Sequence, residues 1–269
     1  MSNAEYHSKI DYESSSSIRD ALLNPKKYIF RKTHETVPTK AMEEGTAVHS
    51  YFLENDKFKK NYVFKPKAFN GRKKEGKHWR QEHGHLNILS AEWEENLIQM
   101  NHNFLNSPAK FIYDNEGLAE LSFFWDDIYK IKGKCRPDWL SVNGNTVVDL
   151  KTTKDASPKS FQRSISEFGY HIQAAWYLRG LRKLDIPAKE FIFIAIEKTP
   201  PYCIGVYRAD EEMIVAGMSE VDKSLEVLKM CQETKLYPDY TPTIQDISLP
   251  PWMTNKKVTP QNYQEIQLY

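Results

Sequence analysis

The apolar positions of this chain change period near residue 118, from helical spacing before it to strand-like runs after it. Ser14 to Ser17 offer N-caps to a helix through Ile18, Ala21 and Leu22, and Pro25 interrupts or restarts it before Tyr28 and Phe30. A second helix is predicted over about 41–53, with Met42, Val48, Tyr51 and Phe52 as apolar contacts. Residues 65–85 show no period and are rich in Lys, Arg and Gly, which predicts a mobile loop or a poorly packed helix. Ser90 begins a helix carrying Trp93, Leu97 and Met100, and Ser107-Pro108 is an N-cap and first-turn pair for a short one. Beyond 118, runs at 121–125, 129–142 and 146–153 predict three consecutive antiparallel strands. Ser157-Pro158 caps one long helix with the stripe Phe161, Ile165, Phe168, Ile172 and Ala175. A buried strand over 191–196, a pairing strand over 203–207 and a closing helix over about 210–234 follow.

Composition narrows the class. With 269 residues the chain can bury a substantial core, and one elaborated domain is the simplest count. We expect that domain over 1–236, with a core over about 108–236 and N-terminal helices and a basic loop over 14–107. The tail, 237–269, is rich in Pro, Tyr and Gln and is expected to wrap the surface or contact a partner. No apolar run approaches the ~20 residues a bilayer span needs. There is no charged-then-apolar leader pattern, and Cys135, Cys203 and Cys231 form no disulfide framework. A reducing, cytoplasmic setting is the expectation. The net charge of +1 exerts no global pull on nucleic acid, so any affinity for DNA must come from local patches.

The chemistry concentrates in residues 136–151, read Arg-Pro-Asp-Trp-Leu-Ser-Val-Asn-Gly-Asn-Thr-Val-Val-Asp-Leu-Lys. Asp138 precedes a short Asn-Gly-Asn turn. On the run after it, Val147, Asp149 and Lys151 point to one face while Val148 and Leu150 point to the other. Two carboxylates and an amine therefore converge across a hairpin, which suits a Mg²⁺ site with a lysine beside it. Lys151 can orient the attacking water or neutralise charge on the reacting phosphate. Asp-x-Lys alone is frequent, and an ordinary surface pair is the plain alternative.

Three further features bear on the choice. Gly45-Thr46-Ala47-Val48-His49 puts an imidazole one turn after a glycine, whose missing side chain leaves space for a metal or DNA. Gln173 and Tyr177 share a helix face at i and i+4, where an amide and a phenol can bond a water and a phosphate. Glu120 starts the first strand of the meander and can complete a metal shell with His49, Asp138 and Asp149; Glu116 is its alternative.

In this order, Gly-x-x-x-His, Glu, Pro-Asp, Asp-x-Lys and Gln-x-x-x-Tyr resemble the RecB-like branch of the PD-(D/E)xK nuclease superfamily, over about residues 14–210. The resemblance implies an α/β (α+β) fold, with a central mixed β-sheet flanked by helices and an N-terminal helical elaboration. Phe69-Asn70-Gly71-Arg72-Lys73-Lys74-Glu75-Gly76-Lys77, Ile88-Leu89-Ser90-Ala91-Glu92-Trp93 and Leu249-Pro250-Pro251-Trp252 are similar to the RecE exonuclease family. That narrower likeness implies a Mg²⁺-dependent (Mn²⁺ substituting) 5′→3′ exonuclease on linear double-stranded DNA. It also implies a single-strand annealing partner of RecT type and a ring-shaped homo-oligomer, a tetramer. Catalytic roles then fall on His49, Asp138, Asp149 and Lys151, supported by Gln173 and Tyr177. The rivals are an AddB-like nuclease, disfavoured because such relatives hold an iron–sulfur cluster with four cysteines, and a non-catalytic DNA-binding or assembly module.

A basic strip adds a surface. Lys65, Lys67, Arg72, Lys73, Lys74, Lys77 and Arg80 face one acid, Glu75, a composition that neutralises backbone phosphates without reading bases. Arg72, Lys73, Lys74 and Lys77 are the expected DNA contacts. His78, His83 and His85 match no strong zinc spacing.

Overall fold

This computed structural model describes residues 1, 3–34, 37–241 and 243–249. The chain opens with α1 (Asn3–Ser8) and β1 (Tyr12–Glu13). Ser14 then exchanges hydrogen bonds with the third residue of α2 (Ser15–Leu23): the Ser17 amide donates to the Ser14 hydroxyl and the Ser14 amide to the Ser17 hydroxyl. Asn24 caps the restart at Pro25, which sits at the first position of α3 (Pro25–Thr33), where its missing N–H costs nothing. Next come α4 (Lys40–Leu53), α5 (Asn55–Asn61), β2 (Tyr62–Phe64), α6 (Lys74–His83), β3 (Asn87–Leu89) and α7 (Ala91–Leu105). The strip predicted as a loop or poor helix thus contains a regular helix, α6. Phe69 packs edge-on to Trp79 at 5.2 Å, and Trp79 stacks on His83 at 4.5 Å, an anchorage that spacing alone did not reveal.

Ser107 caps a short 3₁₀ turn that leads into α8 (Phe111–Asp114) and β4 (Gly117–Ala119), β5 (Phe123–Asp126), β6 (Lys132–Cys135), β7 (Trp139–Ser141) and β8 (Thr146–Thr153). Here the predicted three-strand meander is corrected. The run 129–142 is two strands in two different sheets. β6 lies between β1 and β5, whereas β7 lies between β4 and β8. The break falls at Arg136-Pro137-Asp138, because a proline has no N–H to continue a ladder.

The remaining elements are α9 (Pro158–Phe168), α10 (Tyr170–Lys183), β9 (Glu190–Glu197), β10 (Ile204–Arg208) and α11 (Glu211–Thr234). The single long helix predicted after Ser157-Pro158 is also corrected to two. Gly169 takes the left-handed conformation (φ +69°) that ends α9, and Phe168 is left 47% exposed.

The five-stranded sheet runs β10-β9-β8-β7-β4, with β8 and β9 parallel and the other pairs antiparallel. Both of its faces are covered, which accounts for the apolar run along β9. Val147, Phe191, Phe193 and Ala195 pack beneath α2, α10 and α11 through Ile18, Trp176 and Leu225. Val148, Leu150, Ile194 and Ile196 pack beneath α4 and α7 through Val48, Phe52 and Leu97. The architecture is therefore an α/β (α+β) core with a central mixed sheet between helical layers. Among the described residues no helix is long and apolar enough to cross a membrane. The tail begins against α3, where Lys26 donates to the Pro238 carbonyl and pairs with Asp239 at 2.9 Å. Residues 250–269, including Pro250-Pro251-Trp252 of the RecE-like motif, lie outside the described residues.

Candidate active site

The hairpin register pairs Trp139 with Val148, which sets Asp138 beside the strand that carries Asp149 and Lys151. Ser141 and Asn143 organise the turn: Asn143 Oδ1 accepts from the Ser141 hydroxyl and the Asn145 amide, and Gly144 supplies φ +74°. Asp138 Oδ2 accepts the Leu150 backbone N–H at 2.5 Å, so the two acids are fixed to one another through the main chain. Both are buried, at 7% and 3% exposure.

Around Asp138 a cluster forms. His49, on α4, brings Nδ1 to 3.3 Å from Asp138 Oδ1. Gly45, one turn earlier, faces Thr152 Oγ1, where a Cβ would sit in ordinary contact at 3.6 Å. An alanine would fit at this position, so the close approach of α4 to β8 does not by itself require the glycine. Glu120 follows β4 instead of starting a strand of a meander. It holds φ +55°, and its amide donates to the Asp138 carbonyl at 3.1 Å. One ligand atom from each of His49, Glu120 and Asp138 lies within 4.8 Å of the other two. Arg136, for which residue order suggested no role, pairs with Glu120 at 2.8 Å. Glu116 stays at the far end of β4, where the Val142 amide donates to its carbonyl.

Asp149 heads a second group. Gln173 donates Nε2–H to Asp149 Oδ1 at 2.6 Å and accepts from Lys151 Nζ through Oε1 at 2.8 Å. Lys151 Nζ stands 2.6 Å from Asp149 Oδ2, close enough for an ion pair but off the line of a regular hydrogen bond. Its ammonium also lies 4.5 Å from the centroid of the Tyr170 ring. Tyr170 was missed from sequence, although it precedes Gln173 by three residues and so shares its helix face. Tyr177, expected to reach water and phosphate, is buried; its hydroxyl is directed at the Arg136 carbonyl, 3.4 Å away. It supports the backbone that leads to Asp138.

Electrostatics follow from burial and crowding. Burial pushes the Asp149 carboxyl up and neighbouring Asp138 adds to that, against the pull of Lys151. Glu120 is pushed up to about 7, by burial first and then by Asp138, with Arg136 opposing. Burial lowers His49, but the Asp138 and Asp149 carboxylates override it and hold the imidazole up at about 9. Asp138 alone is held low: burial opposes ionisation, and His49, Lys151 and the Leu150 amide outweigh it.

These residues suit a divalent cation. An imidazole nitrogen and carboxylate oxygens converge, two of the acids resist ionising without more positive charge, and buried Asp149 Oδ2 has no aligned donor. His49, Glu120 and Asp138 are the residues placed to hold the ion, with Asp149 adjoining through Leu150. A groove of about 460 Å³ lies at the turn end of the hairpin among Phe111, Glu116, Trp139 and Asn143, and none of the cluster lines it. Arg72, Lys73, Lys74 and Lys77 are exposed on and just before α6, and none pairs with a described carboxylate of the cluster.

A mixed sheet between helices, with Asp138 and Asp149-x-Lys151 across one hairpin, defines the PD-(D/E)xK nuclease superfamily. The chain belongs to the family described as "PDDEXK-like domain of unknown function (DUF3799)", which it matches over residues 14–249. No curated protein matches its sequence. Among solved structures it is similar to a "Putative exonuclease" from Eubacterium rectale, with 16% identity, a TM-score of 0.63 and coverage of 96% of this chain and 99% of that one. It is also similar to a phage related exonuclease from Haemophilus somnus 129PT, with 11% identity, a TM-score of 0.37 and coverage of 84% and 96%. The first likeness establishes the shared fold.

Proposed function

We propose that this protein is a Mg²⁺-dependent exonuclease of RecE type that degrades linear double-stranded DNA in the 5′→3′ direction. The observation that carries the reading is the meeting of His49, Glu120 and Asp138 beside the Asp149–Lys151–Gln173 group. A divalent cation held there supplies Lewis-acid polarisation of a phosphodiester oxygen and acidifies a water. Lys151, already desolvated and held by Gln173, places its ammonium where charge develops on the phosphate. His49 and the carboxylates bind and orient, and Gln173 keeps Asp149 and Lys151 at a fixed separation. Arg72, Lys73, Lys74 and Lys77 grip backbone phosphates on the way to the site. The 3′ strand left behind suits a single-strand annealing protein of RecT type, and a ring-shaped homotetramer is the proposed assembly. Both rest on the motif resemblance.

The test uses linear duplex DNA labelled at one 5′ end, with Mg²⁺ present or chelated, for wild type and Lys151→Ala. The expected result is prompt metal-dependent release of labelled mononucleotide, absent in the variant and on closed circles. Cutting of closed circles makes the protein an endonuclease, and no cleavage with any divalent metal makes it a binding module.

A further inference from the structure

Lys151 takes its position in part from α10, a helix that starts only at residue 170. α9 ends at Phe168, whose carbonyl accepts from Arg19 Nη1 at 2.7 Å. Gly169 follows in the left-handed conformation, and a Cβ there would stand 2.7 Å from Arg19 Cδ. The elbow between α9 and α10 is therefore held by α2 and by a residue without a side chain. Its consequence is that the first turn of α10 brings two groups to Lys151. One is Gln173, which accepts from the ammonium. The other is the Tyr170 ring, whose centroid lies 4.5 Å from Nζ.

That ring is itself immobilised. It stacks against Phe193 at 5.9 Å and 29°, and also meets Phe161 and Phe168 at 6.0 and 5.7 Å. A cation over an aromatic face is attracted by the ring quadrupole, more strongly where water is excluded. Lys151 is mostly buried, with 17% of its side chain exposed. We infer that Tyr170 is a positioning residue for the proposed hydrolysis, its ring forming an aromatic seat that aims the Lys151 ammonium at the reacting phosphate.

The seat works through its π-face, so the hydroxyl is dispensable and the ring is not. The comparison is therefore between Tyr170→Phe, which keeps the ring, and Tyr170→Leu, which removes it. The inference rests on the nuclease reading only for its kinetic arm. On labelled linear duplex with Mg²⁺, Tyr170→Leu loses about ten- to hundredfold in kcat, the scale of a misplaced catalytic group. Its KM and its Mn²⁺ affinity stay near wild type, and Tyr170→Phe keeps the wild-type kcat.

A second arm needs no activity. Reductive methylation with formaldehyde, followed by mass spectrometry of the Lys151 peptide, reports how firmly the amine is held. Tyr170→Leu raises the methylation rate severalfold and Tyr170→Phe does not. Equal Lys151 reactivity in all three proteins, or equal losses in the Phe and Leu variants, overturns the seat. A wild-type protein inert on DNA overturns the nuclease reading instead, and the methylation arm still decides on Tyr170. Should Tyr170→Leu fail to fold, Tyr170→Met fills the same space flexibly without a ring and carries both arms.

Discussion

Leu150 donates its backbone N–H to the Asp138 carboxylate at 2.5 Å, so the acid at the start of β7 is anchored by the strand that carries the other acid. The bond uses one carboxylate oxygen and leaves the other beside His49. Structure and chemistry therefore draw on different oxygens of one side chain.

Substituting that side chain separates the two roles. Asp138→Asn retains an oxygen that can accept from Leu150 but loses the negative charge. We expect cleavage to fall by about 10²–10³, the scale for removing one group that stabilises developing charge, while the fold, still held by the Leu150 bond, is retained. Cleavage rates and thermal melts of the same preparation check this.

The cluster also predicts how cations and pH act together. His49, held up at about 9, contributes stability that is complete below about 6.5 and lost as pH rises through 9. Glu120, pushed up to about 7, and Asp149, also pushed up, are disfavoured as anions in the fold. Both weaken folding as pH rises from the ordinary carboxylate range up to their raised values. Asp138 is shifted downward, so its effect lies in acid, outside this window. The metal-free protein therefore loses stability from about pH 4.5 to 9, and Mg²⁺ or Mn²⁺ restores it. A cation at about 100 times its dissociation constant adds about 2.7 kcal/mol. The stabilisation measured in melts should be larger at pH 8 than at pH 5.5, because binding must displace protons in acid.

Gln173 joins two buried charges, and removing it leaves both short of a partner. Gln173→Leu is expected to cost about 1–3 kcal/mol, the penalty for stranding buried polar groups. Activity should fall more steeply than stability, since Lys151 loses its acceptor. Urea unfolding and single-turnover cleavage read the two effects.

On the basic strip the effect should be on binding alone. Arg72, Lys73 and Lys74 are exposed, so replacing all three with alanine should leave the melting temperature unchanged. The salt dependence of DNA affinity should become shallower by roughly one unit of slope for each phosphate-binding side chain removed. Affinity titrations at several salt concentrations measure it.

Much of this site could be read from residue order, because a strand alternates with period two and an Asn-Gly turn closes a hairpin at short range. Asp138, Asp149 and Lys151 follow from those local rules, as do the Ser14 cap and the restart at Pro25. What escaped was non-local. The split of 129–142 between two sheets depends on β1 and β4, which are two and three residues long and carry little pattern of their own. The apolar stripe from Phe161 to Ala175 continues in period across Gly169, so the break registers only in its backbone angle. Tyr177 has the spacing of a surface partner to Gln173, yet the packing of α10 turns it inward. The Arg136–Glu120 pair joins two residues that lie just past the ends of β6 and β4, strands of different sheets, and periodicity carries no information about such meetings.

The parallel pairing of β1 with β6 places Tyr12 opposite Lys132 and Glu13 opposite Gly133. These partners are about 120 residues apart, a separation at which closing the loop delays contact formation. Just beyond β6 come Arg136 and Asp138. The β1–β6 pair is thus expected to form later than the local β7–β8 hairpin that joins Asp138 to Asp149, so the acids are expected to meet before the N-terminal strand is captured.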